Sequence, residues 1–300
     1  MKVKVQPTEV AGAEWTLNHR VDLHNAIRDA ALDPSGPGPV PSLLGSARVV
    51  DVDCEAGKVT LQDGRELTAD VVVGADGIHS VVRTAILGEE LTANPTGLSA
   101  YRCLVPKERL ADIPEALEIV ESPDDGFLKI LITDKQERII MYPCRNGTIL
   151  NIVAVCPDGF LNEESAQSWN RPGSIAEMVD TFKSFPEWLR TVLTRADEPG
   201  LWQLRDQNPL KTWIRGRAII IGDAAHAMLP HQGQGGAQAI EDAEALGALF
   251  EGVTGPQTTE AIHAVLKDVF EVRFERASTV QAFSRMQAMP PKEEEGGHVK

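Results

Sequence analysis

Apolar positions along this chain switch between two periods, and the switches divide it. Residues 15–33, WTLNHRVDLHNAIRDAALD, set Leu17, Val21, Leu23, Ile27, Ala30 and Ala31 at near-helical spacing. Asn18 is available as a cap, and Pro34, Gly36, Pro37 and Gly38 end the pattern. Residues 47–73 change to period two: Val49, Val50 and Val52, then Val59 and Leu61, then Val71 to Val73. Glu55-Ala56-Gly57 and Asp63-Gly64 separate these runs, which predicts a three-stranded meander. Between 98 and 156 the runs LSAYRCLV, LEIVES, FLKILIT, RIIMY and TILNIVAV read as strands of a mainly antiparallel sheet, with a short helical patch at Glu108–Leu117. Helical spacing returns over 174–195, and Pro186 splits it into two helices. The short apolar run 217–221 fits a buried strand of a parallel sheet. Residues 235–250, rich in Ala, Glu and Leu, favour a helix, and the polar end from about 290 reads as a solvated tail.

Composition narrows the function classes. At 300 residues the chain holds one large or two ordinary domains, from a prior of about 150 residues each. Apolar residues make up 42% and charged residues 24%, enough for a packed core, so wholesale disorder is excluded. The 29 Lys and Arg are outnumbered by 44 Asp and Glu, a net charge of -15. That balance argues against nucleic acid as a partner, because such binding draws its affinity from clustered cations. No run reaches the 18 or so apolar residues of a spanning helix. The opening MKVKVQPTEVAGAEW alternates and carries Glu9 and Glu14, so it lacks the apolar middle of a signal peptide. Cys54, Cys103, Cys144 and Cys156 form no C-x-x-C pair, so neither a metal nor a dithiol site is expected, and reduced thiols in a cytoplasmic protein are the reading. Oligomeric state is left open.

Two segments carry strand, acid and helix in succession. In ADVVVGADGIHSVVRTAILG, residues 69–88, a buried strand ends at Gly74, Asp76-Gly77 turns, Ser80 caps a helix and Gly88 stops it. A carboxylate at the carboxyl end of a parallel strand suits hydroxyl donors of a sugar or sugar alcohol, although Asp-Gly is equally a common turn. In IIIGDAAHAMLPHQGQGGAQAIEDA, residues 219–243, Asp223 lies just past a strand end and Gly233, Gly235 and Gly236 open a helix. Glycines admit a flat or charged ligand to the backbone, and helix-start N–H groups stabilise negative charge. No Lys follows the glycines, so a P-loop is excluded. The pair of segments is more specific than either alone.

With these motifs and WQLRDQNPLKTW, the chain resembles the FAD-dependent aromatic monooxygenases of the salicylate hydroxylase type, from about Asn18 to Arg276. The resemblance implies an α/β fold: an FAD-binding parallel-sheet domain in two segments, 1–92 and 206–288, around an inserted, mainly antiparallel substrate domain, 93–205, with a polar tail at 289–300. It implies that Arg20, Asp76, Arg83, Asp223, Pro230, Gly233, Gly235 and Gly236 contact FAD, with Asp76 and Arg83 also serving the nicotinamide cofactor. Asp223 would meet the ribityl chain, and the 233–236 glycines the pyrimidine edge of the flavin. Arg102 and Tyr142 match the active-site arginine and tyrosine, yet on strands they equally suit an ion-pair partner and a core aromatic. His226 and His231 receive no role. The implied activity is hydroxylation or epoxidation of an aromatic or polycyclic small molecule with NAD(P)H and O2; NADH is not distinguished from NADPH.

One departure bears on that expectation. The family begins with a strand–G-x-G-x-x-G–helix unit for the FAD diphosphate, and these 300 residues contain none. The parallel sheet is therefore expected to be incomplete, lacking its N-terminal βαβ unit. The alternative reading is a redox-inactive homologue that binds or cyclises a ligand, or that partners another chain.

Overall fold

The alternation over residues 94–157 builds the larger of the sheets. The structure, a computed structural model, describes residues 2–3, 16–36, 38–121, 128–133, 137–158 and 170–288. The tail expected at 289–300 and most of the alternating N-terminus lie outside the described residues. The chain divides into two compact units, Met1–Leu43 with Thr96–Leu204, and Leu44–Pro95 with Arg205–Lys300.

In the first unit seven strands lie in the order Lys2–Val3, Leu128–Ile132, Arg138–Cys144, Ile149–Pro157, Asn94–Pro106, Gly200–Asp206 and Asn170–Pro172. The pairings of Leu128–Ile132 with Arg138–Cys144, of that strand with Ile149–Pro157, and of Ile149–Pro157 with Asn94–Pro106 are all antiparallel. Period two sends Tyr101, Cys103, Val105, Ile139, Met141, Leu150 and Ile152 to one face. There they pack against Met178, Phe182, Leu189, Val192 and Leu193 of the helices Ile175–Thr181 and Glu187–Thr194, which Pro186 separates as the sequence predicts. Each such large side chain contributes about 1.5–3 kcal/mol through its burial.

The run LEIVES is not a strand. Pro114–Val120 is a helix with Pro114 in its first turn, where the fixed φ and missing N–H cost nothing. Ala116, Ile119 and Val120, at helical spacing, are all buried in the same core. The β-branched pair alone reads as strand; packing decides otherwise.

The predicted first helix forms over Arg20–Ala31, but none of its residues is buried and Val21, Leu23 and Ile27 are exposed. Asn18 does not cap it: His19 occupies the cap without a side-chain bond, and Asn18 donates to the Thr16 hydroxyl.

The second unit holds two three-stranded sheets. The meander is Val49–Asp53, Lys58–Leu61 and Glu66–Thr68, so its third strand is the polar 66–68 segment rather than Val71–Val73. A tight turn through Gly64 (φ 86°) delivers the next residues straight back alongside Leu61. The more apolar Val72–Gly74 pairs instead with Ala218–Ile220, in parallel, and Ala218–Ile220 also pairs antiparallel with Ile214–Arg215. The expected parallel sheet is thus one parallel pair in a mixed sheet. Helix Val81–Leu87 starts at Ser80, whose hydroxyl accepts from the Arg83 N–H, and stops at left-handed Gly88, both as predicted. Helices Gly235–Leu249 and Thr259–Met286 complete the unit, with Trp213 edge-on to Phe270 and Phe274 in its core.

Candidate functional site

The two acid-bearing turns leave the same end of adjacent parallel strands. Gly74 is in register with Ile220, so Asp76 and Asp223 follow the carboxyl ends of one strand pair. Neighbouring strands lie about 5 Å apart, which makes the turns neighbours as well. Gly74 is obligatory for this approach, since a Cβ there would sit 2.5 Å from Val82 Cβ and 2.9 Å from Ile220 Cγ2.

The first turn is internally bonded. Asp76 accepts from the Ser80 hydroxyl and from the N–H groups of Val81 (2.8 Å) and Val82 (3.2 Å), which caps the Val81–Leu87 helix. Arg83 is buried, and its guanidinium donates to the carbonyls of Ala224 (3.1 Å), Ile78 (2.6 Å) and Leu91 (3.5 Å). It ties the first turn to the second. Burial holds its pKa below the usual guanidinium value, against the opposing pull of Asp76.

In the second turn Gly222 adopts φ 58°, ψ −142°, a conformation open essentially to glycine alone, and Asp223 follows with its side chain exposed. The short helix Asp223–His226 leads to the half-buried Pro230, a single turn of 3-10 helix, and Gly233 at φ 65°. The helix Gly235–Leu249 then begins without a side-chain cap. Its first-turn N–H groups are therefore left for a ligand or solvent. A Cβ at Gly233 or Gly236 would meet nothing within 4 Å, and one at Gly235 only Met228 Cγ at 3.9 Å. An uncapped, open helix start and an exposed carboxylate in the same unit are the donor and acceptor types that the flavin ring edge and ribityl hydroxyls of FAD would need.

A buried polar hub, which the sequence reading passed over, lies behind this turn. Asp242 is fully buried and accepts from Gly222 N–H (2.9 Å), His226 Nε2 (2.7 Å) and Arg273 Nε (2.8 Å). An ionised carboxylate only accepts, so His226 donates. Burial alone would raise the Asp242 pKa; the bonds from His226, Gly222 and Arg273 outweigh it and hold the carboxyl below the usual carboxylate range. Gln281 donates to the carbonyls of Gln207 and Ala227 (2.9 Å to the latter). The overlooked signal is periodicity: Ile262, Leu266, Val269, Arg273, Ala277, Gln281 and Ser284 form the buried stripe of one helix, and a charge on such a stripe requires a partner.

In the first unit, Arg102 and Tyr142 lie on the sheet face opposite the helices. Arg102 is in register with Val153, Val153 with Ile140, and Ile140 with Ile130, an apolar row ending in a cation. The next row is Tyr142, Asn151 and Leu104. The Arg102 guanidinium sits over the Trp202 ring at 5.6 Å, a contact the sequence reading did not anticipate although Trp202 opens the motif WQLRDQNPLKTW. Burial raises the Tyr142 pKa, as does Cys144, while Arg102 pulls it the other way. Arg20, the first residue of its helix, is exposed in this same unit. Its helix is anchored by Arg145, which donates to both Asp22 oxygens at 2.6 and 2.7 Å.

Among the described residues no cluster of His, Cys, Asp or Glu could hold a metal ion, and no helix is long and apolar enough to cross a membrane.

Comparison with known proteins places the chain in a family. Residues 50–265 match the FAD binding domain family. The chain is 36% identical over 285 residues to a hispidin-3-hydroxylase of Neonothopanus nambi, covering 92% of this chain and 66% of that one. Over 212 residues it is 36% identical to a salicylate hydroxylase of Pseudomonas putida, covering 68% and 48%. A solved salicylate hydroxylase substrate complex superposes with a TM-score of 0.72 at 34% identity, covering 92% of this chain and 68% of that one. The chain belongs to the FAD-binding monooxygenase family, among its salicylate hydroxylase-like members. It spans about two thirds of the length of the relatives first matched.

Proposed function

We propose that this chain carries the flavin-and-ribityl half of an FAD site and the substrate sheet of a monooxygenase that hydroxylates or epoxidises an aromatic or secondary-metabolite substrate with NAD(P)H and O2. One observation carries the reading: the parallel pair Val72–Gly74 and Ala218–Ile220 sends Asp76 and Asp223 out at one end, with the open start of Gly235–Leu249 following in the same unit. FAD, when bound, supplies the redox and oxygen chemistry. The chain's own part is binding and orientation. Asp223 accepts hydroxyl hydrogens, and the 235–237 N–H groups stabilise negative charge on the ring. On the sheet, Ile130, Ile140 and Val153 offer a flat apolar floor to an aromatic ring. Arg102, steadied by Trp202, orients an oxygen substituent at its end, and the raised pKa of Tyr142 keeps that phenol protonated as a donor.

The test is a titration of the folded chain with FAD, followed by flavin fluorescence and absorbance, and then NAD(P)H oxidation with and without candidate aromatics. Bound flavin and substrate-stimulated oxidation are expected; a folded sample showing neither rejects catalysis by this chain. Asp223→Ala is expected to weaken flavin binding about tenfold, the worth of a hydrogen bond to a charged group. Unchanged affinity would remove Asp223 from the site. An aromatic ligand bound in the absence of flavin would support the redox-inactive reading instead.

A further inference from the structure

Asp242 carries more contacts than the packing of a helix against a turn requires. It lies seven residues into Gly235–Leu249, the helix whose glycine start forms one wall of the candidate flavin site. Its Oδ2 accepts from the N–H of Gly222, the residue that precedes Asp223. One carboxylate thereby links the two halves of the site, about 10 Å along the axis from the helix start. Gly222 is not readily replaced: its backbone is in glycine-only territory, and a Cβ would come within 3.3 Å of Ala239 Cβ on the same helix.

The carboxylate is itself fixed from two sides. Arg273 binds Oδ1 through Nε, while its remaining nitrogens reach Glu241 and the side chain of Gln238 (2.8 Å). His226, at the end of the turn, binds Oδ2, and its other nitrogen, buried, makes no hydrogen bond among the described residues. Separate clamps hold the rest of the turn, Arg83 on the Ala224 carbonyl and Gln281 on the Ala227 carbonyl. At Gly222 itself the carbonyl accepts from the Ala225 and His226 N–H groups (2.9 Å each), while the N–H goes to Asp242.

The geometry points to Asp242 as the positioning residue of the flavin site: held by Arg273 and His226, it fixes the Gly222 amide and so sets the distance and direction of Asp223 relative to the Gly235–Ala237 helix start. The inference rests on the flavin reading for its function, but its structural core is measurable without flavin. Hydrogen exchange resolved at individual amides of the full chain is compared between wild type and Asp242→Asn. The expected result is exchange at Gly222 faster by about tenfold, with the strand Ala218–Ile220 unchanged. Unchanged exchange at Gly222, or equal acceleration through Ala218–Ile220, would make Asp242 a general stability residue and overturn the inference. Should Asp242→Asn fail to fold, His226→Gln carries the test: it keeps the Asp242–Gly222 bond while loosening the carboxylate, so a smaller acceleration confined to Gly222 supports positioning and none overturns it. FAD titration of the same samples separates the two claims. If wild type binds FAD, the variants are expected to bind more weakly in proportion to their exchange at Gly222, and equal affinity overturns the inference. If wild type takes up no flavin, the flavin reading falls while the exchange result still decides whether Asp242 fixes the turn.

Discussion

Burial pushes every thiol of this chain upward: Cys103 and Cys156 to about 12, Cys54 and Cys144 to about 11. A thiol is nucleophilic only as thiolate, so iodoacetamide at pH 8 is expected to leave all four unmodified in the native chain and to label all four in denaturant. Native labelling, read by mass spectrometry, would contradict their placement. Asp22 shows the opposite displacement. Its bonds to Arg145 come first among the causes that hold its carboxyl at about 2. A depressed carboxylate stabilises the folded chain above its unfolded pKa, and that contribution is lost as pH falls through about 2. A carboxyl-carbon NMR titration is expected to find the Asp22 midpoint near 2, and Arg145→Ala to raise it, with His19 still holding it down in part. At this scale, Asp76, Asp223 and the 233–236 glycines are legible because each sits in a short motif whose chemistry is local. Asp242, Arg273 and Trp202 are not, because their partners lie 16 or more residues away, or on another strand.

Elements were read well where one signal dominated. Ser80 and Gly88 bound their helix as predicted because a cap bond and a left-handed stop depend on neighbours a few residues off. Two strand readings failed, each for its own reason. At Ile119–Val120 the burial of a helical face, which extends the predicted helical patch, overrides β-branched propensity, and at Glu66–Thr68 the tight turn brings a polar segment back as the third strand. Glycine positions carry the sharpest expectation. Gly74→Ala would drive a Cβ to within 3 Å of Val82 and Ile220 at the point where the parallel strands meet. Overpacking there is expected to cost about 1–3 kcal/mol by urea unfolding, whereas Gly236→Ala, with open space and a helical conformation, should cost nothing. Equal stability of the two variants would show that the strand pair is looser than described.

For the molecule as a whole, charge and organisation make separate statements. An excess of 15 negative charges predicts no retention by duplex DNA at physiological salt, and measurable binding in a gel-shift assay would point to a cationic surface that the composition conceals. Each unit buries its own apolar cluster, one around the long antiparallel sheet and one around Trp213 and the parallel strand pair. Asp76, Arg83, Asp223, Pro230 and the 233–236 glycines fall in one unit, and Arg20 with Arg102 and Tyr142 in the other.

What the amino-acid sequence settles unaided is the list of parts: the family, the alternating sheet, the acid-bearing turns and the glycine helix start. These rest on periodicity and on interactions spanning a few residues, which a linear reading contains in full. Only the tertiary structure decides which strand Val72–Gly74 joins, that Arg83 bridges the two turns, and that Asp242 holds Gly222 from behind. Those are pairings of groups distant along the chain, selected by burial and by the need of each buried polar atom for a partner.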